Sequence, residues 1–247
     1  MDHAHVRHFF FDLDKTLTPS RSPMLREHQE VFDRLCRERD VVIVTGGSIA
    51  HIREQTTSRF DGRYHALAQS GNHYVLDNGT TQWYEPITDE QAQHVFAFIE
   101  DLKRHFSVVP RDENDLVDHR GAQIGYSVIG YHETMEKKYA FDPDDSKRRA
   151  ALDAHSEGVE RLRTIGIEVV PAGTSGYNFI PLGRHKGFNV RRLCEHLGWN
   201  AEECMYVGDA LFPGGNDEAV IGVIPTHEVN DPDETFAFIV EALDQRN

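Results

Sequence analysis

The sequence has little cysteine, no long apolar segment and no evident targeting signal. Its three cysteines, Cys36, Cys194 and Cys204, are odd in number and show no C-x-x-C spacing. Cys36 and Cys194 occupy apolar positions of predicted helices, and we interpret them as buried thiols. No apolar run approaches the roughly 18 residues that a membrane span needs, and the first residues lack the apolar core of a signal peptide. We therefore expect a cytoplasmic protein with no membrane partner.

Basic residues are also scarce relative to acidic ones. The chain has 26 lysines and arginines against 41 aspartates and glutamates, a formal net charge of −15. Because nucleic-acid backbones bind to basic surfaces, this charge argues against a nucleic-acid partner. A small anionic substrate is not excluded, since it responds to the local field of a pocket. The hydrophobic fraction of 39% is typical of a globular protein, and 247 residues suffice for one large domain or two smaller ones.

The opening third of the chain alternates strand and helix patterns. Residues 6–13 form a nearly continuous apolar run that ends in acids, as expected of a strand buried on both faces. A helical stripe at 31–36 precedes a second apolar strand at 41–47, and Ser48 is a candidate N-cap for the next helix. Strands and helices at this spacing predict a parallel sheet with crossover helices.

The middle of the chain has a different pattern. Thr88 and Gln91 form a capping box, and the helix that follows has an apolar face made of Ala92, Val95, Phe96, Ile99, Leu102 and Phe106. Further along come a strand pattern at 123–131, one amphipathic helix with Leu152, Val159, Leu162 and Ile165, and strand candidates at 167–171 and 176–181. Paired strands and long helices, without the strand–helix alternation of a parallel sheet, predict a small inserted α+β module.

The last third returns to the first pattern. Its predicted elements are a helix from Lys186 to Leu197, a strand at 204–209, and a helix that begins at Asp231-Pro232 with the apolar stripe Phe236, Ile239, Val240 and Leu243. The sequence therefore predicts an α/β protein with a doubly wound parallel-sheet core. The core comprises residues 1–80 and 183–247, and the inserted α+β domain comprises residues 81–182.

Two clusters of polar residues follow the strands of the opening third. Asp12 and Asp14 leave the first strand two residues apart, so they can hold one hard cation while one attacks phosphorus and the other moves protons. Thr45, Gly46 and Gly47 end the second strand, where a hydroxyl and a helix N-terminus suit phosphate oxygens. Each cluster taken alone also fits an ordinary turn at a strand end.

Two more clusters lie in the last third. Lys186 begins a helix, where a lysine opposes the helix dipole, so it is a candidate for neutralising a carboxylate and a phosphate. Asp209 ends a strand, and Asn216 and Asp217 follow in a glycine-rich loop that fits metal ligation. An exposed lysine and a structural loop are the simpler interpretations of these residues. Ligands gather at the carboxyl ends of parallel strands, and all four clusters are predicted at strand ends or helix starts.

Together the four clusters resemble, in order and position, the four motifs of the haloacid dehalogenase superfamily of phosphotransferases. The insert falls between the second and third motifs, as in the superfamily's type IIB, which carries an α/β cap. Three segments, at 17–21, 120–130 and 208–220, are similar to segments of the eukaryotic-type phosphomannomutases. The resemblance implies a Rossmann-like core with a cap domain that governs substrate specificity.

The resemblance also implies roles for individual residues. Asp12 is the expected nucleophile and Asp14 the general acid and base, while Thr45 and Lys186 hold the transferred phosphate. The expected Mg²⁺ ligands are Asp12, the Asp14 backbone carbonyl and Asp209, with support from Asn216 and Asp217. The expected substrate-binding residues are Thr16, Arg21, Gly46, Arg120, Tyr131, Lys138 and Asn178.

The sequence departs from the phosphomannomutase pattern at several of these positions. Tyr131 and Lys138 align with arginines that hold the distal phosphate of a sugar bisphosphate, and Lys15 replaces the usual glycine of the first motif. Gly176 and Asn178 align with a serine and an aspartate that contact sugar. Because lysine cannot replace arginine at a bidentate phosphate site, we predict a phosphatase for a phosphorylated sugar or similar small metabolite. The alternative is a hexose phosphate mutase.

Other interpretations place the chain in different classes. A phospho-acceptor receiver domain also uses acids, a threonine and a lysine at strand ends, but it is about half as long and has no cap. A non-catalytic phosphometabolite-binding protein on the same fold should lack Asp12, Asp14 or Lys186, and all three are present. The resemblance further implies a homodimer formed through the cap.

Overall fold

The computed structural model describes residues 3–245, which divide into two compact units. The first unit runs up to Tyr84 and resumes at Arg184, and the second unit is Glu85–Gly183. The sequence interpretation placed residues 81–84 in the insert. The structure instead places Thr81–Tyr84 in the sheet of the first unit, where it pairs with the preceding antiparallel strand.

The first unit is built on a seven-stranded mixed sheet. Numbering strands in chain order through both units, their order across this sheet is β11-β10-β1-β2-β3-β4-β5. The neighbours from β11 to β3 are parallel, while β4 and β5 are antiparallel at one edge. The strands are β1 (His8–Phe11), β2 (Asp40–Val44), β3 (His65–Ala68), β4 (His73–Val75), β5 (Thr81–Tyr84), β10 (Cys204–Gly208) and β11 (Thr226–Glu228).

Helices cover both faces of this sheet, which confirms the doubly wound α/β core. Strand β1 alternates its buried side chains, so Phe9 and Phe11 belong to one hydrophobic cluster and Phe10 to another. The first cluster includes residues of α1 (Gln29–Glu38), α2 (Ile49–Thr56) and α8 (Pro232–Asp244). The second includes residues of α7 (Lys186–Leu197).

The second unit packs helices on one face of a four-stranded antiparallel sheet with the order β6-β7-β9-β8. Ile124, Tyr126, Tyr177 and Phe179 point from the middle strands into its core. The strands are β6 (Val117–His119), β7 (Ile124–Ser127), β8 (Ile167–Ala172) and β9 (Gly176–Pro181). The helices are α3 (Asp89–Phe106), α4 (Met135–Phe141), α5 (Ser146–Ala154) and α6 (Ser156–Thr164).

The predicted helix starts are confirmed. Ser48 caps α2, Thr88 and Gln91 form a reciprocal capping box on α3, and Asp231 caps α8 ahead of a proline at its first turn. Helix α7 spans the predicted residues. In the described part of the chain, no helix is both long and apolar enough to cross a membrane.

Each of two predicted apolar stripes includes one residue that is exposed in the structure. On α3, Phe96 is exposed, whereas Phe98 is buried because it packs against Gly158 of α6 and edge-on to Phe179. On α8, Val240 is exposed, whereas Phe238 is buried because it stacks on the ring of His227. Helical spacing alone allows either member of each pair to face the core, so partners distant in sequence decide which one is buried.

Two predicted elements of the insert are also wrong in extent. The strand expected at 123–131 ends at Ser127, and the single helix expected over Leu152 to Ile165 is divided into α5 and α6 at His155. The division lets Gly158 approach the ring of Phe98, where any side-chain carbon would collide. Helix α4 and strand β6 were not predicted.

Candidate active site

The carboxyl ends of three adjacent parallel strands bring the predicted residues of the first unit together. Asp12 follows β1, Thr45 follows β2 and Asp209 follows β10, and these strands are neighbours in the sheet. The buried apolar strands fix the backbone, so each polar side chain emerges where its strand ends. Lys186 opens α7, on the side of the sheet that holds the second cluster.

Lys186 joins two of the acids. Its Nζ donates to Asp12 Oδ1 at 2.5 Å and to Asp217 Oδ1 at 2.7 Å, and all three side chains are buried. The hydroxyl of Tyr206, which is fully buried on β10, also donates to Asp217 Oδ1, at 2.6 Å. A buried ammonium in this position can also neutralise negative charge on an anionic group that binds next to the two carboxylates.

Three acids of this site form a group that fits a metal ion. Oxygen atoms of Asp12, Asp209 and Asp217 lie within 4.8 Å of one another. Asp217 Oδ2 is buried and has no hydrogen-bond partner among residues 3–245, although its sister oxygen accepts two bonds. Because a buried carboxylate oxygen is costly to leave unpaired, it marks a place for a cation. Three carboxylates are hard oxygen donors, which suit Mg²⁺.

The electrostatics of the site also favour an added cation. Burial raises the pKa of Asp12 well above the ordinary value of an aspartate, and Lys186 opposes this effect. Burial raises the pKa of Asp209 to about 6, and the charge of Asp217 adds to the increase. Burial alone would lower the pKa of Lys186, but the charges of Asp12 and Asp217 outweigh it and raise that pKa. A cation bound among these carboxylates would favour their charged forms and so oppose the effect of burial.

Asp14 lies beside this group and outside the set of three acids. Its Oδ1 accepts a hydrogen bond from the backbone N–H of Arg21 at 2.6 Å, and this bond orients the carboxyl group in the turn after β1. The Arg21 side chain is exposed, and its backbone has a positive φ of 53°. Thr16 is buried, and its hydroxyl accepts from the backbone N–H of Asp209 at 3.1 Å. Thr16 therefore links the first motif to the last, and its contact with substrate stays a prediction.

Thr45 and Gly46 form the turn between β2 and α2. Thr45 is buried, and its hydroxyl accepts from the backbone N–H of Gly47 at 3.0 Å. The capped N-terminus of α2 follows directly at Ser48. This turn thus presents a hydroxyl, backbone amides and the positive end of a helix dipole, all of which can bind a phosphate.

Asn216 differs from its neighbours in the same loop. Asn216 is exposed, whereas Asp217 is fully buried. Support of the metal by Asn216 stays a prediction.

The four predicted substrate residues of the second unit lie near one another. Lys138 is buried, and its Nζ donates to the backbone carbonyl of Tyr131 at 2.6 Å. The Arg120 guanidinium lies 5.9 Å from the centre of the Tyr131 ring, and its Nε donates to Asp118 at 2.7 Å. Asn178 is paired with Gly125 across β7 and β9.

Gly125 is a residue of this second group that the sequence interpretation missed. A side-chain carbon at this position would collide with the hydroxyl of Tyr131 and crowd the Arg120 guanidinium. The absence of a side chain therefore lets Tyr131 lie against the sheet. A glycine inside a predicted strand was the available signal, since it often marks a close approach.

The sequence profile of the haloacid dehalogenase-like hydrolases matches residues 9–219. This chain belongs to that family. It is 24% identical over 244 residues to a phosphomannomutase of Encephalitozoon cuniculi, covering 95% of this chain and 93% of that protein. It is 23% identical over 242 residues to phosphomannomutase 1 of Dictyostelium discoideum, covering 94% of each.

Solved structures agree with the fold of this hydrolase family. A haloacid dehalogenase-like hydrolase from Bacteroides thetaiotaomicron aligns with a TM-score of 0.65 at 17% identity, over 96% of this chain and 99% of that one. An N-terminally truncated IMP-nucleotidase of Plasmodium falciparum aligns with a TM-score of 0.66 at 15% identity, over 99% of this chain and 72% of that one. Membership of the family sets aside the receiver-domain interpretation and identifies the chain as an enzyme of the phosphatase and phosphomutase class.

Tyr206 is a residue of the first unit that the sequence interpretation missed. In the sequence it is one apolar position of a buried strand, which gives no sign of a polar role. Its hydroxyl reaches Asp217, which is 11 residues later in the chain, because the loop after β10 folds back and places the two side chains together.

Proposed function

We propose that this enzyme is a Mg²⁺-dependent phosphatase that transfers the phosphoryl group of a small phosphorylated metabolite to Asp12 and then to water. The observation that carries the proposal is the pair of hydrogen bonds from Lys186 to Asp12 and Asp217. Beside them lies an Asp217 carboxylate oxygen that has no hydrogen-bond partner in the part of the chain that the structure describes. Asp12, Asp209 and Asp217 would hold the ion, which when bound supplies positive charge to the phosphoryl oxygens.

In the first step, a carboxylate oxygen of Asp12 attacks phosphorus in line with the leaving oxygen. The new bond joins Asp12 to phosphorus, and the bond from phosphorus to the substrate oxygen breaks. Lys186 neutralises charge on the phosphoryl oxygens, and Thr45 with the following backbone amides binds them. Asp14 in its protonated form gives its proton to the leaving oxygen.

In the second step, water attacks the phosphorus of the aspartyl phosphate. Asp14, now a carboxylate, takes a proton from that water, and the bond between Asp12 and phosphorus breaks to release inorganic phosphate. Asp12 and Asp14 thus return to their starting states. The backbone N–H of Arg21 supports this role of Asp14, because it orients the carboxyl group while leaving its second oxygen for the proton.

A phosphorylated sugar is the substrate class that we propose. The support is the likeness to phosphomannomutases over nearly the whole chain, and the pairing of Arg120 with Tyr131 in the second unit. An aromatic ring beside a guanidinium is a surface that can contact a sugar and an anionic group together. We propose that Arg120, Tyr131, Lys138 and Asn178 select the substrate.

A mutase is the second candidate, and the same likeness to phosphomannomutases favours it. The two reactions share the aspartyl phosphate and differ in the acceptor, which is water in a phosphatase and a sugar phosphate in a mutase. Phosphorus NMR of the enzyme with Mg²⁺, mannose 1-phosphate and a trace of hexose 1,6-bisphosphate separates them. Inorganic phosphate formed without need of the bisphosphate supports the phosphatase, and hexose 6-phosphate that depends on the bisphosphate contradicts it.

The covalent role of Asp12 is tested by Asp12→Asn, with Asp89→Asn as the control. Asp89 is an exposed acid at the start of α3, so its amide variant changes the same charge away from the site. We expect the Asp12 variant to lose at least about 1,000-fold in kcat, since a nucleophile acts as a unit with its partners. The Asp89 variant should keep full activity. Full activity of the Asp12 variant would overturn the proposal.

A further inference from the structure

The segment that follows β3 has a strained backbone. Gln69 and Ser70 have φ values of 54° and 60°, and among residues 3–245 they are the only adjacent non-glycine residues with a positive φ. Gly71 completes this strained turn, residues 69–71, with a φ of 88°. A left-handed conformation is unfavourable for a residue with a side chain, so contacts from outside the turn must hold it.

The strained turn contacts the segment between β2 and α2 that we propose binds phosphate. The backbone N–H of Ser70 donates to the carbonyl of Thr45 at 2.8 Å. The backbone N–H of Gln69 donates to the carbonyl of Gly47, also at 2.8 Å. The carbonyl of Thr45 and the N–H of Gly46 belong to one planar trans peptide group, so they point in opposite directions. The bond from Ser70 therefore directs the Gly46 N–H away from the strained turn.

Asn189 of α7 holds the strained turn in place. Its side chain is fully buried, and its Nδ2 donates to the carbonyls of Ser70 at 2.9 Å and Arg184 at 3.1 Å. A side-chain carbon at Gly71 would lie only 2.3 Å from the Asn189 Cβ, so the helix and the turn are in close contact. The Asn189 Oδ1 is buried and has no hydrogen-bond partner in the described part of the chain. Because an apolar residue would avoid the cost of that unpaired oxygen, the bonds donated by the amide are the reason for an asparagine here.

Helix α7 also carries Lys186, which is three residues before Asn189 and therefore lies on the same side of the helix. Asn189 thus joins the two parts of the site that we expect to bind the transferred phosphate. We propose that Asn189 is a positioning residue for phosphate binding, which acts through the strained turn on the Gly46 N–H and keeps that group in a fixed position relative to Lys186. This inference rests on the proposed function.

Loss of the Asn189 amide should weaken phosphate binding and leave the metal site unchanged. Asn72 makes similar bonds, since its Nδ2 donates to the carbonyls of Gln69 and Arg184 at 3.0 Å each, so the strained turn should loosen without unfolding. We expect Asn189→Leu, which has a similar shape and no donor, to bind inorganic phosphate about tenfold more weakly in Mg²⁺-saturated protein. Its Mg²⁺ affinity should equal that of the wild type, whereas general damage to the fold would lower both affinities.

A second substitution tests the route through the strained turn. Ser70→Gly removes backbone strain, because glycine readily adopts a φ of 60°. We expect Asn189→Leu combined with Ser70→Gly to regain most of the lost phosphate affinity. Thr235→Val is the control, since Thr235 is fully buried in α8 and its hydroxyl donates to the carbonyl of Asp231 at 3.2 Å. This variant loses the same kind of bond in another helix and should bind phosphate as the wild type does.

Isothermal titration calorimetry of the full chain at neutral pH measures both affinities. Wild-type phosphate affinity in Asn189→Leu would overturn the inference and leave the proposed function intact. A double variant that binds phosphate as weakly as the single one would also overturn it, because the loss would then not act through the strained turn. Asn189→Ala, which also lacks the donor, replaces the leucine variant if that variant does not fold. A wild-type protein that binds Mg²⁺ but no phosphate would contradict the proposed function and with it this inference.

Discussion

At the residue scale, Tyr206 controls the side chain of Asp217. Together with Lys186 it binds one carboxylate oxygen of Asp217, and the other oxygen is buried with no hydrogen-bond partner among residues 3–245. We expect Tyr206→Phe to weaken Mg²⁺ binding by about tenfold, since one hydrogen bond to a charged group contributes about 1.5–3 kcal/mol. Calorimetric titration of Mg²⁺ measures the effect, and the rise in KM for Mg²⁺ should exceed any fall in kcat.

Tyr177→Phe is the matched control for this variant. Tyr177 is also a fully buried tyrosine, and its hydroxyl donates to the backbone carbonyl of Arg148 at 3.0 Å in the second unit. We expect this change to cost about 1 kcal/mol of stability and to leave Mg²⁺ affinity unchanged. Equal Mg²⁺ affinity in the Tyr206 variant and the wild type would show that Asp217 needs no support from Tyr206.

The raised pKa of Asp209 gives the site a pH dependence. Burial raises this pKa to about 6 in the metal-free protein, so below that pH a proton occupies the carboxylate that the cation needs. We expect Mg²⁺ affinity to fall as the pH drops below 6, by up to about tenfold per pH unit for each carboxylate ligand that takes up a proton. Titrations across this range in buffers of different ionisation enthalpy measure both the affinity and the protons released. An affinity independent of pH between 5 and 7 would contradict the assignment of Asp209 as a ligand.

The sequence indicates the polar and charged residues of this site but not the contacts that hold them in position. Asp12, Thr45, Lys186 and Asp209 are recognisable because each stands at a predicted strand end or helix start. The hydrogen bond from Tyr206 to Asp217 depends on a loop that folds back on its strand. The left-handed backbone conformation of Lys15 depends on a turn in which its N–H donates to the carbonyl of Thr18. Neither leaves a periodic pattern in the sequence, so only the structure reveals them.

At the scale of elements, the position of α7 depends on Gly187. A side-chain carbon at Gly187 would collide with the backbone carbonyl of Ala219, in the segment just after Asp217. The missing side chain lets the start of the helix approach that segment, so Lys186 reaches Asp217. We expect Gly187→Ala to destabilise the protein by about 3 kcal/mol, as overpacking does, and to weaken Mg²⁺ binding. Thermal denaturation and Mg²⁺ titration measure the two effects.

Gly198→Ala is the control at the other end of the same helix. Gly198 ends α7 with a φ of 70°. Apart from its chain neighbours, no group of residues 3–245 lies within 4 Å of the place that a side-chain carbon would take. This change should cost about 1 kcal/mol for the left-handed backbone alone and should not affect Mg²⁺ binding. Similar losses of Mg²⁺ affinity in both variants would show that the close approach at Gly187 has no special role.

The four helices of the core were all predicted, but four of its seven strands, β3, β4, β5 and β11, were not. Strands β1 and β2 are buried on both faces and read as continuous apolar runs, and α7 and α8 begin at recognisable positions. In the insert, the choice of Phe98 over Phe96 depends on Gly158, a partner about 60 residues from Phe98 in the sequence. Such pairing has no local signal, because helical spacing is satisfied either way.

At the scale of the whole molecule, each unit has its own sheet and its own hydrophobic core, which comprises two clusters in the first unit and one in the second. The second unit, Glu85–Gly183, contains a buried core drawn from its helices and its four strands. We expect this segment to fold when it is expressed alone, with a cooperative thermal transition by circular dichroism. If a homodimer forms through this unit, as the resemblance implies, the isolated segment should also dimerise. Light scattering measures its mass, and a folded monomer would contradict that mode of dimerisation.

Covalent transfer to Asp12 is the central claim, and peptide mapping of the trapped enzyme tests it most directly. The protein is mixed with Mg²⁺ and a hexose phosphate labelled on phosphorus, quenched in acid within the first turnover, and digested. We expect the label on the peptide that contains Asp12, and we expect Asp12→Asn to remain unlabelled while Asp14→Asn still accumulates label. A label on any other residue, or rapid turnover with no labelled protein at any time, would contradict the account.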